Sequence, residues 1–200
     1  MTGNALDPTQ HIWWLASRAS GIVALGLITA SVALGLAMAN KLWRGKAAAG
    51  LHEQLSLAGL VAIAIHGLTL IGDPWLHPGL SGIAVPFTMG YRTVFTGLGI
   101  VGGYLTAALG LSFYIRRKIG PKLWRKLHRF TVVAYVLALV HTIGAGTDAS
   151  TAWLRTFMLA TAVPIAVMFI ARVVPRRSAA ARRTTFTSLV EPEGTEGAAP

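Results

Sequence analysis

The chain has 200 residues, of which 54% are hydrophobic and 12% are charged, and its mean hydropathy is +0.58. Soluble domains average about 45–50% apolar and about 25% charged residues, so this composition excludes a disordered chain and argues against a soluble one. Lys and Arg outnumber Asp and Glu by 18 to 7, which gives a formal net charge of +11. Because there is no Cys, disulfides, thiolate metal sites and iron–sulfur clusters are excluded, and any metal must be held by His or carboxylates.

Five stretches are long and apolar enough to cross a bilayer core of about 30 Å, which requires roughly 20 helical residues. They cover residues 12–38, 51–72, 93–115, 127–147 and 152–174. They are apolar all round rather than alternating in polarity, which favours helices over the strands of a barrel. The sequence therefore predicts an all-α integral membrane bundle of five transmembrane helices over residues 12–174, with a short external segment at 1–11 and a tail at 175–200.

Small residues recur along these spans and allow neighbouring helix backbones to approach closely in lipid. Examples are Gly21, Gly26, Gly35, Gly99 and Gly103. The stretch 97–102 also fits the pattern G-x-G-x-x-G, but it lies inside an apolar span without a preceding strand or a following acidic residue. We interpret it as helix packing and not as a dinucleotide-binding loop.

The cations fall mainly on one side of the predicted bundle. Fifteen of the 18 Lys and Arg residues lie in the first loop, in the third loop and its junction with the fourth span, or from Arg172 onward. Cytoplasmic loops retain Lys and Arg, so the N-terminus is predicted to lie outside and the C-terminus in the cytoplasm of a multi-pass plasma-membrane protein. The same bias accounts for the net charge without a nucleic-acid partner. The N-terminal segment lacks the basic region of a cleaved signal peptide, and the acidic, Pro- and Gly-containing tail is predicted to be disordered.

Four histidines lie inside the predicted spans, where ionisable residues are costly and mark cofactor, proton or ion sites. His52 and His66 are 14 positions apart in the second span, and His128 and His141 are 13 apart in the fourth. At about 1.5 Å per residue these separations are about 21 and 19.5 Å. Both helices run in the same direction, so His52 and His128 are predicted at one depth and His66 and His141 at another.

Two imidazole pairs at matched depths are the arrangement that binds two stacked hemes axially. Fourteen residues at about 100° each return within about 40° of the starting face, whereas thirteen leave a gap of about 140°. A π-bulge, a kink, or hemes on different sides of the fourth helix would each absorb that gap. Alternatives are hydrogen-bonded packing histidines and a proton relay that includes Glu53, whereas ligands about 20 Å apart on each helix cannot share one zinc ion. His11 and His77 are interpreted as ordinary loop residues.

Two helices carrying H-x13-H and H-x12-H, separated by one transmembrane helix and a basic loop, resemble the ferric-reductase-like transmembrane domain family over about residues 12–174. The resemblance implies two b-type hemes, with His52 and His128 on the inner one and His66 and His141 on the outer one, and electron transfer across the membrane. Members of this family usually have six helices and often a C-terminal flavin- and nicotinamide-binding module. This chain shows five helices and a tail of 26 residues, so a separate donor, either a flavoprotein or a quinol, is expected.

Three cations fall outside the cytoplasmic clusters: Arg18, Arg92 and Arg155. A guanidinium inside a span needs an anion, and a heme propionate would accept two parallel N–H hydrogen bonds from it. Arg18 is the first candidate because its place resembles that of an arginine of the family, while Arg92 and Arg155 either do the same or reach toward lipid headgroups. Arg125 and Arg129 flank His128 and are candidates for the inner propionates or plain cytoplasmic anchors. The six tryptophans lie near the predicted interfaces, as in an aromatic belt.

The sequence thus predicts a heme b electron-transfer subunit, an oxidoreductase component without its own flavin domain, that passes electrons from a cytoplasmic or quinol donor to an external acceptor. Two alternatives remain open. One is a quinol-oxidising cytochrome b subunit, for which Glu53 and Gln54 beside His52 are the only suggestive groups. The other is a heme-free transporter or assembly subunit in which the histidines pack or relay protons.

Overall fold

The computed structural model describes residues 11–174, and within them it contains helices, turns and bends but no strand. Five helical segments are long and apolar enough to cross a membrane, which confirms the predicted all-α five-helix architecture. Most of the segment 1–11 and the whole tail 175–200, with its predicted disorder, lie outside the described residues. The helices are α1 (Ile12–Ala39), α2 (Lys46–Thr69, extended by a 3₁₀ turn at Leu70–Gly72), α3 (Gly79–Ala84), α4 (Thr93–Leu111), α5 (Arg116–Ile119), α6 (Pro121–His128), α7 (Thr131–Ala145) and α8 (Ala152–Val173).

The limits of α2 follow from identifiable residues. The helix begins five residues before the predicted apolar span because Lys46 and three alanines after it are good helix formers. It ends with the predicted span 51–72, directly before Asp73 and Pro74. The carboxylate of Asp73 is buried and accepts hydrogen bonds from the backbone N–H groups of Trp75 (2.8 Å) and Leu76 (3.0 Å), so the side chain replaces the helical partners that the turn lacks.

The bundle is built from two helix pairs, α1 with α2 and α4 with α7, and α8 packs on α1. Glycines let the members of each pair approach closely. The Cβ that Gly59 of α2 lacks would lie 2.7 Å from Ile28 Cδ1 of α1, and that of Gly102 of α4 would lie 3.1 Å from Leu137 Cβ of α7. Tyr135 of α7 is the largest fully buried side chain and packs among Ile28 and other apolar residues of α1 and α8. The two pairs therefore meet along one apolar seam.

The fourth span is not one continuous helix, because the helix is interrupted between α6 and α7, directly after His128. Around this break three backbone bonds run from residue i to i−3, from the N–H groups of Arg129, Phe130 and Val132. Each 3₁₀ residue turns about 20° further and rises about 0.5 Å more than an α-helical one. Three such residues raise the His128–His141 rise from about 19.5 to about 21 Å and recover about 60° of the 140° gap. The fold thus contains a kink in the fourth span, one of the three sequence-based explanations, and it absorbs part of the gap; hemes on different sides of the helix stay a prediction.

The end of the bundle formed by residues 40–45 and 112–130 carries many of the Lys and Arg residues and is called the basic end. The end where α1, α4 and α8 begin, with the loops at 73–92 and 146–151, is called the opposite end. The positive-inside bias predicts that the basic end is cytoplasmic.

Candidate functional site

The four intramembrane histidines lie in two pairs, and each pair joins the two halves of the bundle. At the basic end the ring centres of His52 and His128 are 6.2 Å apart with an interplanar angle of 89°. At the opposite end those of His66 and His141 are 6.1 Å apart at 73°. The matching depths expected from the 14- and 13-residue spacings are therefore present in the fold.

The separation of the ring centres, 6.1–6.2 Å, is close to that of two imidazoles bound to one shared metal ion. An imidazole nitrogen binds a first-row metal at about 2.0–2.1 Å and lies about 1.1 Å from its ring centre, so two rings on opposite sides of one ion have centres about 6.2–6.4 Å apart. Among the described residues no hydrogen bond joins the two rings of either pair. Direct proton sharing between the imidazoles thus does not explain the contact, although 6.1–6.2 Å is also an ordinary distance for edge-to-face packing of two rings.

Three of the four rings have their Nδ1 atoms committed to backbone carbonyls of the neighbouring helix. Nδ1–H of His52 donates to Ser31 O (3.0 Å), that of His66 to Ser17 O (2.8 Å) and that of His141 to Phe95 O (2.9 Å). This assignment of the proton to Nδ1 leaves the lone pair on Nε2. Histidines that bind a metal through one nitrogen typically donate the other N–H to a carbonyl or carboxylate, which fixes the ring and raises its basicity.

The two acceptors on α1 follow the same spacing as the histidines on α2. Ser17 and Ser31 are 14 positions apart, and because α1 and α2 are antiparallel, Ser31 meets His52 and Ser17 meets His66. Both serines are buried, and their hydroxyl oxygens lie 3.1 Å from His66 Nδ1 and 3.2 Å from His52 Nδ1. The spacing of serines in the first span is a sequence signal for this pairing that the analysis of the histidines alone did not use.

His128 differs from the other three histidines. Its Nδ1 is buried and, within residues 11–174, has no hydrogen-bond partner. The ring is instead stacked on Trp124, with centres 4.8 Å apart and planes at 25°, and Trp124 Nε1–H donates to Ser112 Oγ at 3.0 Å. The i, i+4 spacing on one helix face predicts such contact, so interpreting Trp124 only as a belt residue missed its packing on a site histidine.

Glycines of the neighbouring helices provide the space for three of the rings. A Cβ on Gly21 would lie 2.9 Å from His66 Nδ1, and one on Gly35 would lie 3.1 Å from His52 Cε1. A Cβ on Gly99 would overlap the ring of His141, with Cε1 at 2.8 Å. A Cβ at these positions would displace the imidazole, whereas one on Gly26, also in α1, would meet nothing within 4 Å. Gly21, Gly35 and Gly99 thus serve as seats for the histidine rings.

Arg18 pairs with an acidic residue of the chain itself. Its guanidinium donates to both carboxylate oxygens of Asp148, with Nε at 2.5 Å from Oδ2. Asp148 lies in the loop between α7 and α8 and is 95% buried, while the side chain of Arg18 is 39% exposed. The sequence analysis did not single out Asp148. The expectation that Arg18 binds a heme propionate stays a prediction, and the ion pair supplies the anion that its position requires.

Replacing Arg18 by Gln is expected to destabilise the protein because the buried Asp148 carboxylate would lose its partner. Breaking a buried pair costs about 3–5 kcal/mol, and the partial exposure of Arg18 reduces our expectation to about 2 kcal/mol, or about 4–8 °C in Tm for a chain of this size. Tryptophan fluorescence during heating in detergent measures this shift. The double variant R18Q/D148N should regain part of the loss, since it leaves no unpaired charge. An unchanged Tm for R18Q would contradict the structural role of the pair.

The other candidate side chains lie at the ends of the bundle. Arg125 and Arg129 are exposed at the basic end, next to His128 in sequence, and the fold places no carboxylate of the described residues within ion-pair distance of either. Glu53 accepts a hydrogen bond from the hydroxyl of Tyr114 at 2.9 Å, and this bond raises the pKa of Tyr114, which lies outside the spans. His77 lies in the loop between α2 and α3, in a left-handed conformation with φ 40°.

Within residues 11–174 no group of three or more His, Asp or Glu side chains could hold a bare metal ion. Each histidine pair offers two nitrogens only. Such a donor set suits a metal whose remaining ligands come from a macrocycle, as in heme with two axial histidines, better than a tetrahedral ion that takes three or four protein ligands. The residues present therefore fit heme.

Comparisons with protein-family models, with curated proteins and with solved structures find no match to this chain.

Proposed function

We propose that this chain is a membrane electron-transfer protein that binds two b-type hemes, one between His52 and His128 and one between His66 and His141. The observation that carries the proposal is the separation of 6.1–6.2 Å between paired ring centres, repeated at two depths. When bound, heme supplies one-electron chemistry that none of the chain's own side chains provides.

The contribution of the protein is to orient the ligands and to exclude water. Carbonyls of α1 and α4 hold three imidazoles by Nδ1, which keeps each Nε2 available and limits rotation of the ring. The surrounding spans are apolar, and a low-dielectric setting favours the less charged redox state of an iron site. No side chain is required as an acid, base or nucleophile.

The predicted topology determines which histidine pair would lie nearer the cytoplasm. With the basic end in the cytoplasm, a flavoprotein or quinol would donate electrons near His128, and an external acceptor would receive them near His66 and His141. The resemblance to ferric-reductase-like domains motivates this direction. Inhibition by quinone analogues, without a need for a flavoprotein, would identify a quinol as the electron donor, as in a quinol-oxidising cytochrome b.

The proposal is tested by the absorption spectrum of the purified protein, expressed with ample heme supply. We expect a low-spin b-type spectrum in the reduced-minus-oxidised difference and about two hemes per chain by pyridine hemochrome, one for each axial pair. A colourless preparation that is folded, as judged by circular dichroism and a single elution peak, would overturn the proposal. It would favour a heme-free membrane protein in which the histidines pack or relay protons.

A further inference from the structure

A cavity of about 640 Å³ lies at the opposite end of the bundle, between α7, α8 and the loops that precede α4 and α8. Its walls include Tyr91, Arg92, Ile143, Arg155, Met158 and Leu159. None of the four site histidines lines it, so the cavity is separate from the two imidazole gaps. Its volume is in the range of small-molecule and cofactor pockets, about 300–1,000 Å³.

Two cations on the cavity wall are held in place by backbone carbonyls. The guanidinium of Arg92 donates to Gly144 O at the end of α7, and Nε of Arg155 donates to Ala149 O at 3.0 Å. Each group has five N–H donors, so both keep donors free. Because Asp148 is occupied by Arg18, no carboxylate of the described residues pairs with either arginine.

The helix ends add to this positive potential. Arg92 and Thr151 occupy the N-cap positions of α4 and α8, and neither helix has a side-chain hydrogen bond at its N-cap. The positive ends of two long helix dipoles thus lie at the same end of the bundle as the two guanidiniums. An anion there would satisfy charges that are otherwise costly at the edge of a membrane span.

The part of the wall that α7 and α8 form beside the arginines is apolar and partly faces outward, and the loop at residues 146–150 completes the lining. Ile143 and Leu159 are 59% and 67% exposed on the protein surface, and both belong to membrane-crossing segments, so hydrocarbon covers them in a bilayer. A ligand of the cavity therefore needs an acidic head for the arginines and an apolar body for this wall. A free inorganic anion provides only the first.

We propose that this cavity binds an anionic phospholipid, with its phosphodiester between Arg92 and Arg155 and an acyl chain along Ile143, Met158 and Leu159. Arginine forks match the geometry of phosphate oxygens, and the chain continues the hydrophobic contact into the bilayer. The site depends on neither heme nor the proposed electron transfer. It gives a defined ligand to Arg92 and Arg155, which are the two of the three cations outside the basic clusters that pair with no carboxylate of the described residues.

The test measures lipid retention by the full-length protein. Wild-type protein, Arg155→Gln and Arg92→Gln are purified in detergent from membranes supplemented with phosphatidylglycerol, and the bound lipid per chain is counted by native mass spectrometry. Arg172→Gln is the matched control, because Arg172 is in the last turn of the same helix as Arg155 but at the basic end. We expect each of the first two substitutions to lower retention about tenfold and the control to leave it unchanged. Equal retention in all four proteins would overturn the proposal.

Additional arms identify the source of the anion. Phosphatidylcholine, which is zwitterionic, should be retained less than phosphatidylglycerol, and inorganic phosphate should raise the Tm of lipid-stripped protein less than phosphatidylglycerol does. Stabilisation by phosphate alone to the same extent would overturn the assignment to a lipid.

Heme per chain is measured in the same samples: a fall in heme with unchanged lipid in R155Q would assign the arginines to heme propionates instead. Arg155→Lys keeps the positive charge but cannot form the two parallel hydrogen bonds of a guanidinium, so this variant should retain an intermediate amount of lipid.

Discussion

Replacing His66 by Leu is expected to remove one of two heme equivalents and to leave the other in place. His66 pairs only with His141, and His52, at the other depth, keeps its own partner. His52→Leu should remove the other equivalent, and the double variant should be colourless. Heme per chain and the reduced-minus-oxidised spectrum measure these losses.

The two single variants are informative as a pair. If they lose different hemes, their spectra and midpoint potentials differ, and the two difference spectra add up to that of the wild type. His77→Leu is the control, because His77 lies in a loop and pairs with no other histidine; it should keep both hemes. Loss of both hemes from H66L with normal folding would show that the two depths are not independent sites.

The sequence specified the matched depths of the histidine pairs because depth follows from rise per residue alone. Spacings of 14 and 13 in helices that run the same way set two matched depths whatever the side-chain details. The number and approximate positions of the spans were also predictable from hydropathy, although α2 begins five residues before the predicted span and α4 ends at Leu111 instead of residue 115. These features depend on local composition and on period, which a single sequence contains.

What the sequence did not reveal depends on contacts between distant parts of the chain. Asp148 meets Arg18 across 130 positions, and a short polar loop between two spans carries no sign of that partner. The sequence could not predict the interruption of the helix after His128, because several kinds of helix distortion would absorb the same angular gap. The stack of Trp124 on His128 was overlooked because an interfacial tryptophan already has a general explanation in the aromatic belt. Tertiary packing decided each of these points.

The role of the glycines was predictable only in part. Recurring small residues predicted close helix contacts, but not which of them face an imidazole. In α1 the seats Gly21 and Gly35 are 14 positions apart, as are His66 and His52 on α2, so the antiparallel pair repeats one contact at two depths. Gly26 breaks this register and meets nothing within 4 Å. The register thus distinguishes glycines that serve the site from one that does not.

Substituting valine at the two seats is expected to remove hemes selectively. Gly21→Val would place a branched side chain where the Cβ alone lies 2.9 Å from His66 Nδ1, and Gly35→Val would do the same at 3.1 Å from His52 Cε1. In each case the imidazole must move away from the carbonyl that orients it, at Ser17 or Ser31. A histidine that loses the hydrogen bond which orients its ring typically binds its metal about 10–100-fold more weakly.

The expected result is that G21V loses the same heme as H66L, that G35V loses the same heme as H52L, and that G26V keeps both. All three substitutions add one isopropyl group to the same membrane helix, so their effects on helix propensity and membrane insertion are alike. Only the distance from the new side chain to an imidazole differs. Heme per chain and the spectrum of the remaining heme decide the outcome. Equal heme content in the three variants would mean that α1 does not position the histidines of α2. The close packing of these rings against α1 would then have no role in binding heme.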